Sequence, residues 1–489
     1  MRSFSSVLFH LLAVVLGLVI AYNLVFIPSQ FDVVVIAALL LFYPVVRYPR
    51  LGVYIFFLTG PLIPFFRKLY YLLYQRPSAD PLIILGDILV VFIFAGLFFQ
   101  LRPHLEQDKQ TRFFSRSIFL YLVYVVVRAF VLNNSPLTAA AMNLRFYAPQ
   151  TLFFFVGIVY AHNFRMLKKL WVITLVMGIF AALYGFNQLF FGYSEAERVW
   201  FSSISFTSLF IEGMARPFSF FQSPAAFADY LQLAIIAVLI LYAWSSSVQS
   251  KLLFSLIPFF FYGILITSVR SNWAGMIVSV LVWLSVLVVR GTKQRVAVFS
   301  LLLMGYFGIQ FLEGASEDWG LYQGLAGGQN VESVQGDFVS ALVTDRMGAL
   351  INPFTEHSVR SRFALWRYVF RTSFSPVYAV LGRGTGTFNS DSLYVNYLAE
   401  FGYPGMAFII LLTLAFIAKG LYILDNADNR AVVALVKGIT ALNITFAVIN
   451  LTGTHIHSFP GDSYFWFWNG VLIKLAALSY CKTEGGKSI

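Results

Sequence analysis

With 59% hydrophobic, 18% aromatic and only 11% charged residues across 489 positions, the chain cannot be a soluble globule, which carries about 25% charge. It is built to lie in a membrane, and its net charge of +12 reads as basic residues in short connections on one side rather than as a nucleic-acid-binding face. The single cysteine, Cys481, excludes an intrachain disulfide.

A membrane helix needs about 20 apolar residues, fewer where neighbours bury it. Runs of that kind fall at 7–27, 31–46, 51–66, 82–101, 117–132, 146–161, 168–190, 224–244, 251–268, 272–290, 295–312, 404–424, 431–451 and 463–481. The expected fold is therefore an all-α polytopic membrane protein of about 12–14 transmembrane helices. The first run follows Arg2 but lacks a small-residue cleavage site, so it is expected to remain as the first helix.

Lys and Arg gather on alternate connections: Arg47 and Arg50, Arg102 to Arg116, Arg165 to Lys169, Lys251, Arg290 to Arg295, and Lys482 with Lys487. These are expected to be cytoplasmic, with both termini on that side. The connection assigned Arg67, Lys68 and Arg76 falls on the other side and breaks the pattern. No internal repeat and no low-complexity segment is evident. Residues 1–313 form an N-terminal transmembrane bundle, 314–391 an extracytoplasmic loop domain with short helices, and 392–489 the helices that complete the bundle.

Within the spans, Asp87, Arg128, Asp229 and Gln232 all lie towards the outer side. Ionisable groups in hydrocarbon are costly and usually functional. A neutralising Asp87–Arg128 pair and a direct role both remain open.

The loop domain sorts its charges. Glu317, Asp318, Glu332 and Asp337 come first, and from Arg346 onward Arg360, Arg362, Arg367, Arg371 and Arg383 follow without a lysine. A forked guanidinium suits bidentate contact with phosphate or carboxylate oxygens better than a plain solvated surface requires.

Three stretches carry the candidate chemistry. In RPFSFFQSPAAFADYL (216–231), Ser223 and Pro224 signal a helix start, holding Arg216 before an outward-facing, anion-attracting terminus; an interfacial snorkelling arginine is the plain alternative. In TSVRSNWAG (267–275), Arg270 occupies an outer turn too tight for an orienting charge, so an anion, from substrate or lipid headgroup, is expected to hold it. In SVRSRFALWRYVFRTSFSP (358–376), an amphipathic helix places Arg360, Arg367 and Arg371 on one face and Phe363, Trp366 and Phe370 on the other. Arg362 projects among the aromatics, where it needs an anionic or hydrogen-bonding partner. Beyond lie LGRGTGTF (381–388), whose glycines permit backbone approach to a ligand, and DSLYVNYLAEFGYPG (391–405).

The order of these pieces resembles the O-antigen ligase and Wzy-type polysaccharide polymerase superfamily: an arginine before a proline-started helix, a Ser-Arg turn, then a large loop carrying Arg362 with Trp366, Pro376, Gly382 to Gly386, Asp391-Ser392, Tyr394, Glu400, Gly402 and Gly405. The match covers 200–481 well and the earlier spans by hydropathy alone. It implies a GT-C-like, metal-independent, inverting glycosyltransferase without a cofactor in a bacterial plasma membrane. Its donor would be a glycan on undecaprenyl pyrophosphate, with membrane lipids, and a flippase and chain-length regulators, as further partners.

By that resemblance Arg216 and Arg270 hold the pyrophosphate, while Arg362, Arg360, Arg367, Tyr394, Glu400, Asp229 and His455 line the substrate site. Ligases carry a histidine where this chain has Asp391, so Asp391 serves either as the catalytic base or as a helix N-cap. His455 and His457 are alternative bases or ordinary interfacial histidines. The favoured activity is polymerisation of lipid-linked repeat units; transfer of finished glycan to lipid A core or another acceptor is the first alternative. A secondary transporter, the rival from another class, would place its polar groups at the midplane between related halves.

Overall fold

The structure, a computed structural model, describes residues 32–74, 81–106, 108–130, 144–203, 209–211, 214–244, 252–288, 357–385, 392–455 and 459–483. These residues are almost entirely helical, and seven helices among them are long and apolar enough to cross a membrane. The chain is a multi-pass α-helical membrane protein. The expected spans at 7–27 and 295–312 and most of the loop domain lie outside the described residues.

In chain order, α1 (Asp32–Arg47) is followed by α2 (Pro49–Thr59), which runs through a single 3-10 turn into α3 (Ile63–Leu73). Then come α4 (Leu85–Glu106), α5 (Lys109–Phe130), α6 (Ala148–Tyr160), α7 (Phe164–Phe191) and the short α8 (Glu195–Ser203). A two-residue hairpin, β1 (Phe210–Ile211) and β2 (Met214–Ala215), precedes α9 (Pro224–Trp244), α10 (Leu256–Ile266) and α11 (Arg270–Val288). Helices α12 (His357–Thr372) and α13 (Pro376–Leu381) lead to α14 (Leu393–Asn426), α15 (Arg430–Ile449) and α16 (Gly461–Thr483).

Apart from Asp229 and Gln232, helix α9 is apolar all round, the mark of a helix enclosed by others, and it is buried from Pro224 to Leu241 apart from Ala225. Its start is capped as the sequence indicates, with the Ala226 amide donating to Ser223 Oγ at 3.2 Å. At its far end the Arg430 guanidinium donates to the Ala243 carbonyl. Helix α15 therefore runs back alongside α9, and its outgoing turn arrives where α9 begins.

The sequence places Arg67 and Lys68 in a connection, and the structure corrects this. The helix persists to Leu73, and both side chains are buried inside it. Their charges serve packing beneath α8, not orientation.

Helix α14 joins a segment that starts at Leu393 to the span expected at 404–424. It breaks where Gly402 takes φ 70° and Pro404 lacks an amide. A proline leaves the carbonyl four residues earlier without its helical donor, and apolar surroundings require another. The amides of Arg383 and Gly384 donate to Ala399 and Glu400 at 2.7 and 3.3 Å, and Tyr124 Oη donates to Phe401 at 2.9 Å. The glycines of 382–384 thus fit backbone against backbone: a Cβ on Gly382 would lie 2.3 Å from the Glu400 carbonyl carbon.

Asp87 pairs not with Arg128 but with Arg145, at 2.9 Å, and with Gln150 at 2.6 Å. Arg128 instead donates to the carbonyls of Leu381 and Gly382 at 2.6 and 3.1 Å.

Helices α6 and α16 touch through glycines. A Cβ on Gly157 would lie 2.0 Å from the Phe467 carbonyl oxygen, and one on Gly470 the same distance from that of Phe154. Small residues let membrane helices approach this closely. Gly157→Val or Gly470→Val is expected to destabilise the bundle by roughly 1–3 kcal/mol through overpacking. The measurement is the melting temperature in detergent, and an unchanged value in both variants would contradict the close contact.

Candidate functional site

Arg216 sits on a loop clamped from both sides. Its amide donates to the Leu209 carbonyl at 2.9 Å, closing the hairpin, and Tyr193 Oη donates to the Ala215 carbonyl at 2.9 Å. Burial pushes the Tyr193 phenol up, the Glu197 carboxylate adds to this, and Arg216 works against both. The ring stays a neutral donor.

On the other side, Gln188 Oε1 accepts from the amides of Phe218 and Ser219 at 3.0 and 2.7 Å, and its Nε2 donates to the Ser219 carbonyl at 2.9 Å. The same carbonyl accepts from Lys68 Nζ at 2.9 Å, whose ammonium lies 4.1 Å from the Phe218 ring centroid. The Phe218 ring and a carbonyl acceptor give that buried amine its partners. Ser219 is held at φ 54°, a conformation that a non-glycine residue keeps only when its surroundings enforce it.

The second arginine belongs to the turn joining α10 to α11. The Ile264 carbonyl near the end of α10 accepts from the Thr267 amide, Thr267 Oγ1 and Trp273 Nε1 at 3.2, 2.7 and 3.2 Å. Ser268 follows at φ 54°, the only other described non-glycine residue with positive φ. This turns the carbonyls of Thr267 and Ser268 towards Arg216 Nη1, at 3.4 and 3.5 Å. Arg216 therefore reaches the turn from which Arg270 projects, and both side chains are half-buried.

Beside that turn lies a polar chain inside the bundle. His455 Nδ1 is 2.8 and 3.0 Å from the two oxygens of Asp229, and its Nε2 is 3.2 Å from Ser271 Oγ. Asn272 Nδ2 donates to Asp229 Oδ1 at 2.8 Å, and the Asn272 carbonyl accepts from Gln232 Nε2 at 2.7 Å. An ionised carboxylate only accepts, so Nδ1 carries a proton towards Asp229, while Ser271 Oγ lies between His455 Nε2 and Asn272 Oδ1, to which it donates at 3.2 Å. Gly453 makes the ring position possible, since a Cβ there would lie 2.0 Å from Nε2. The Leu393 amide donates to the carbonyls of Asn450 and Gly453 at 3.0 and 3.1 Å, so the start of α14 abuts the same place.

The remaining sequence candidates make other contacts. Tyr394 Oη donates to the Ala447 carbonyl at 3.0 Å. Glu400 is buried and accepts from Tyr147, within a cluster where Tyr121 and Tyr397 hydroxyls meet at 2.7 Å. Arg367 is exposed on α12. That helix docks on α14 through Val369 and Trp366 against Val395, Leu398 and Ala399, leaving Phe370 exposed where the helical wheel places it on the apolar face. Arg360 and Arg362 belong to α12, but their side chains, like Asp391 and His457 entirely, lie outside the described residues.

The structure thus joins Arg216, Arg270, Asp229 and His455, and adds Ser271 and Asn272, which stood in the same quoted turn. It also adds Lys68 and Gln188 as holders of the Arg216 loop; the misfit of Lys68 with positive-inside topology was its signal in the sequence. No family model and no curated protein matches the chain.

Gln188→Ala removes the acceptor of two buried amides, each costing about 1–3 kcal/mol when unsatisfied. Hydrogen exchange at Phe218 and Ser219 is expected to accelerate roughly 10- to 100-fold, at 1.4 kcal/mol per decade. Unchanged exchange would remove Gln188 from the clamp.

Proposed function

We propose that the chain is a GT-C-like membrane glycosyltransferase, a Wzy-type polymerase. It transfers a glycan from undecaprenyl pyrophosphate to a hydroxyl of another lipid-linked repeat unit, at the outer face of a bacterial plasma membrane with both termini cytoplasmic. The observation that carries the reading is the reach of Arg216 onto the turn that bears Arg270. Two guanidiniums, half-buried at one end of an apolar bundle, suit a diphosphate attached to a lipid.

In an inverting displacement the acceptor oxygen bonds to the anomeric carbon as the bond to the pyrophosphate oxygen breaks. Negative charge builds on that departing oxygen, and preorganised cations placed there lower the barrier. Clamping of the Arg216 loop by Lys68 and Gln188 sets the guanidinium before substrate arrives. The arginine-rich segment beyond residue 346 supplies contacts for the glycan. A transporter is disfavoured by the gathering of polar groups at one end rather than at the midplane.

The test uses purified protein in liposomes with lipid-linked oligosaccharide. Wild type is expected to yield longer lipid-bound glycans, and Arg216→Ala and Arg270→Ala to lower the rate by about 10²- to 10³-fold each while remaining folded. Elongation retained at wild-type rate in both variants contradicts the pyrophosphate assignment. Glycan appearing on a second acceptor class instead of on the lipid carrier turns the reading to a ligase.

A further inference from the structure

We propose that His455, oriented by Asp229, is the general base that accepts the proton of the acceptor hydroxyl, and that this hydroxyl comes to the place Ser271 Oγ now holds. The inference rests on the glycosyl-transfer reading above and deepens it.

The geometry singles out one nitrogen. Nδ1 is committed to Asp229, whose oxygens lie 2.8 and 3.0 Å away. Asp229 is committed in turn, because Asn272 Nδ2 donates to it at 2.8 Å and Gln232 holds the Asn272 backbone at 2.7 Å. Among the described residues Nε2 has only the Ser271 hydroxyl near it, 3.2 Å off. That hydroxyl donates to Asn272 Oδ1, so in the neutral ring with its proton on Nδ1 the Nε2 lone pair is the one offered to an incoming hydroxyl. Imidazole with one nitrogen on a buried carboxylate and the other on a hydroxyl is the arrangement that abstracts protons in hydrolytic triads.

Burial favours the same role. The side chains of His455 and Asp229 are 3% and 2% exposed, so a proton gained on Nε2 creates an imidazolium against a carboxylate in a site shielded from water. That pairing stabilises the charge formed in the transition state. Ser271 is only half-buried and is the neighbour of Arg270 in the chain, so the hydroxyl beside Nε2 belongs to the turn assigned to the donor pyrophosphate. Any side chain at 453 would push the ring away from this position.

The step balances as follows. The acceptor O–H bond breaks and its proton passes to Nε2, while the oxygen's electron pair forms the new glycosidic bond. The bond from the anomeric carbon to the pyrophosphate oxygen breaks, and its pair stays on the pyrophosphate between Arg216 and Arg270. The imidazolium then gives its proton to the departing pyrophosphate, which carries it away.

Asp229 is a positioning residue, since it acts through the imidazole. Ser271 is the rival reading, as a nucleophile forming a covalent intermediate.

The experiment measures donor binding and elongation separately in proteoliposomes, with lipid-linked oligosaccharide as the probe. His455→Ala is expected to lower turnover by about 10²- to 10⁴-fold and to leave donor binding within about threefold of wild type. Added imidazole restores part of its rate and nothing to Arg216→Ala, a rescue that a merely structural histidine would not show. Asp229→Asn lowers kcat with little change in KM, and Asp229→Glu recovers part of it.

Should His455→Ala not fold, His455→Asn keeps a donor towards Asp229 and carries the same expectation. Near-wild-type turnover in these histidine variants removes the base while leaving the arginine site intact. Ser271→Ala is expected to be reduced less than about tenfold; loss as deep as that of His455→Ala assigns the chain of groups to a serine nucleophile and overturns the proposal. If wild type elongates nothing while binding donor, the glycosyl-transfer reading itself falls, and the base with it.

Discussion

Inside an apolar bundle a polar atom must find its partner within the protein, and the architecture described here follows from that requirement. Water cannot rescue an unmet carbonyl or carboxylate at such depth, and each unsatisfied group costs several kcal/mol. Asp229 is the sharpest case. As a buried carboxylate it is met by the Asn272 amide and the His455 ring, and those two partners come from separate parts of the chain. Satisfying one side chain on α9 thereby draws the α10–α11 turn and the turn after α15 to a common point.

The same logic explains the features that break regular structure. The interruption of α14 at Gly402 frees three consecutive carbonyls, and the loop after α13 docks where it can supply amides to two of them. Arg128 answers carbonyls of that loop from α5. Ser219 and Ser268 hold left-handed backbone in the two turns that bring Arg216 to the neighbourhood of Arg270. Strain of this kind persists where surrounding contacts enforce it and collects at functional sites. The charged centre is thus fixed by groups that never need to touch a substrate.

Much of this was legible in the amino-acid sequence, and the reasons for the rest are physical. Helix α9 could be read from Ser223, Pro224 and an unbroken apolar run, because capping and hydropathy are local properties. Arg216 could be singled out because it precedes a capped helix start, and Arg270 because a cation in so tight a turn has little orienting purpose. Hydropathy failed wherever tertiary partners altered the cost of a charge. It ended the third span before Arg67 and Lys68, which the Phe218 ring, the Ser219 carbonyl and Gln222 accommodate within the helix. Pairings failed for the same reason: Asp87 meets Arg145, which lies ahead of α6 and outside any apolar run. On α12, Trp366 packs and Arg367 and Arg371 are exposed as the wheel has them, and Phe370 departs because Val369, small but aimed at α14, makes the contact instead.

The central claim is that Arg216 and Arg270 together bind the diphosphate of a polyprenyl carrier beside His455. An experimental structure of the full chain in lipid nanodiscs with a bound polyprenyl-pyrophosphate glycan tests it most directly. The account predicts both phosphates within about 4 Å of the two guanidiniums, the range of a charge-assisted contact, with the sugar's anomeric carbon turned towards His455 Nε2. A headgroup bound elsewhere in the bundle, with these two arginines facing only protein carbonyls, would contradict it.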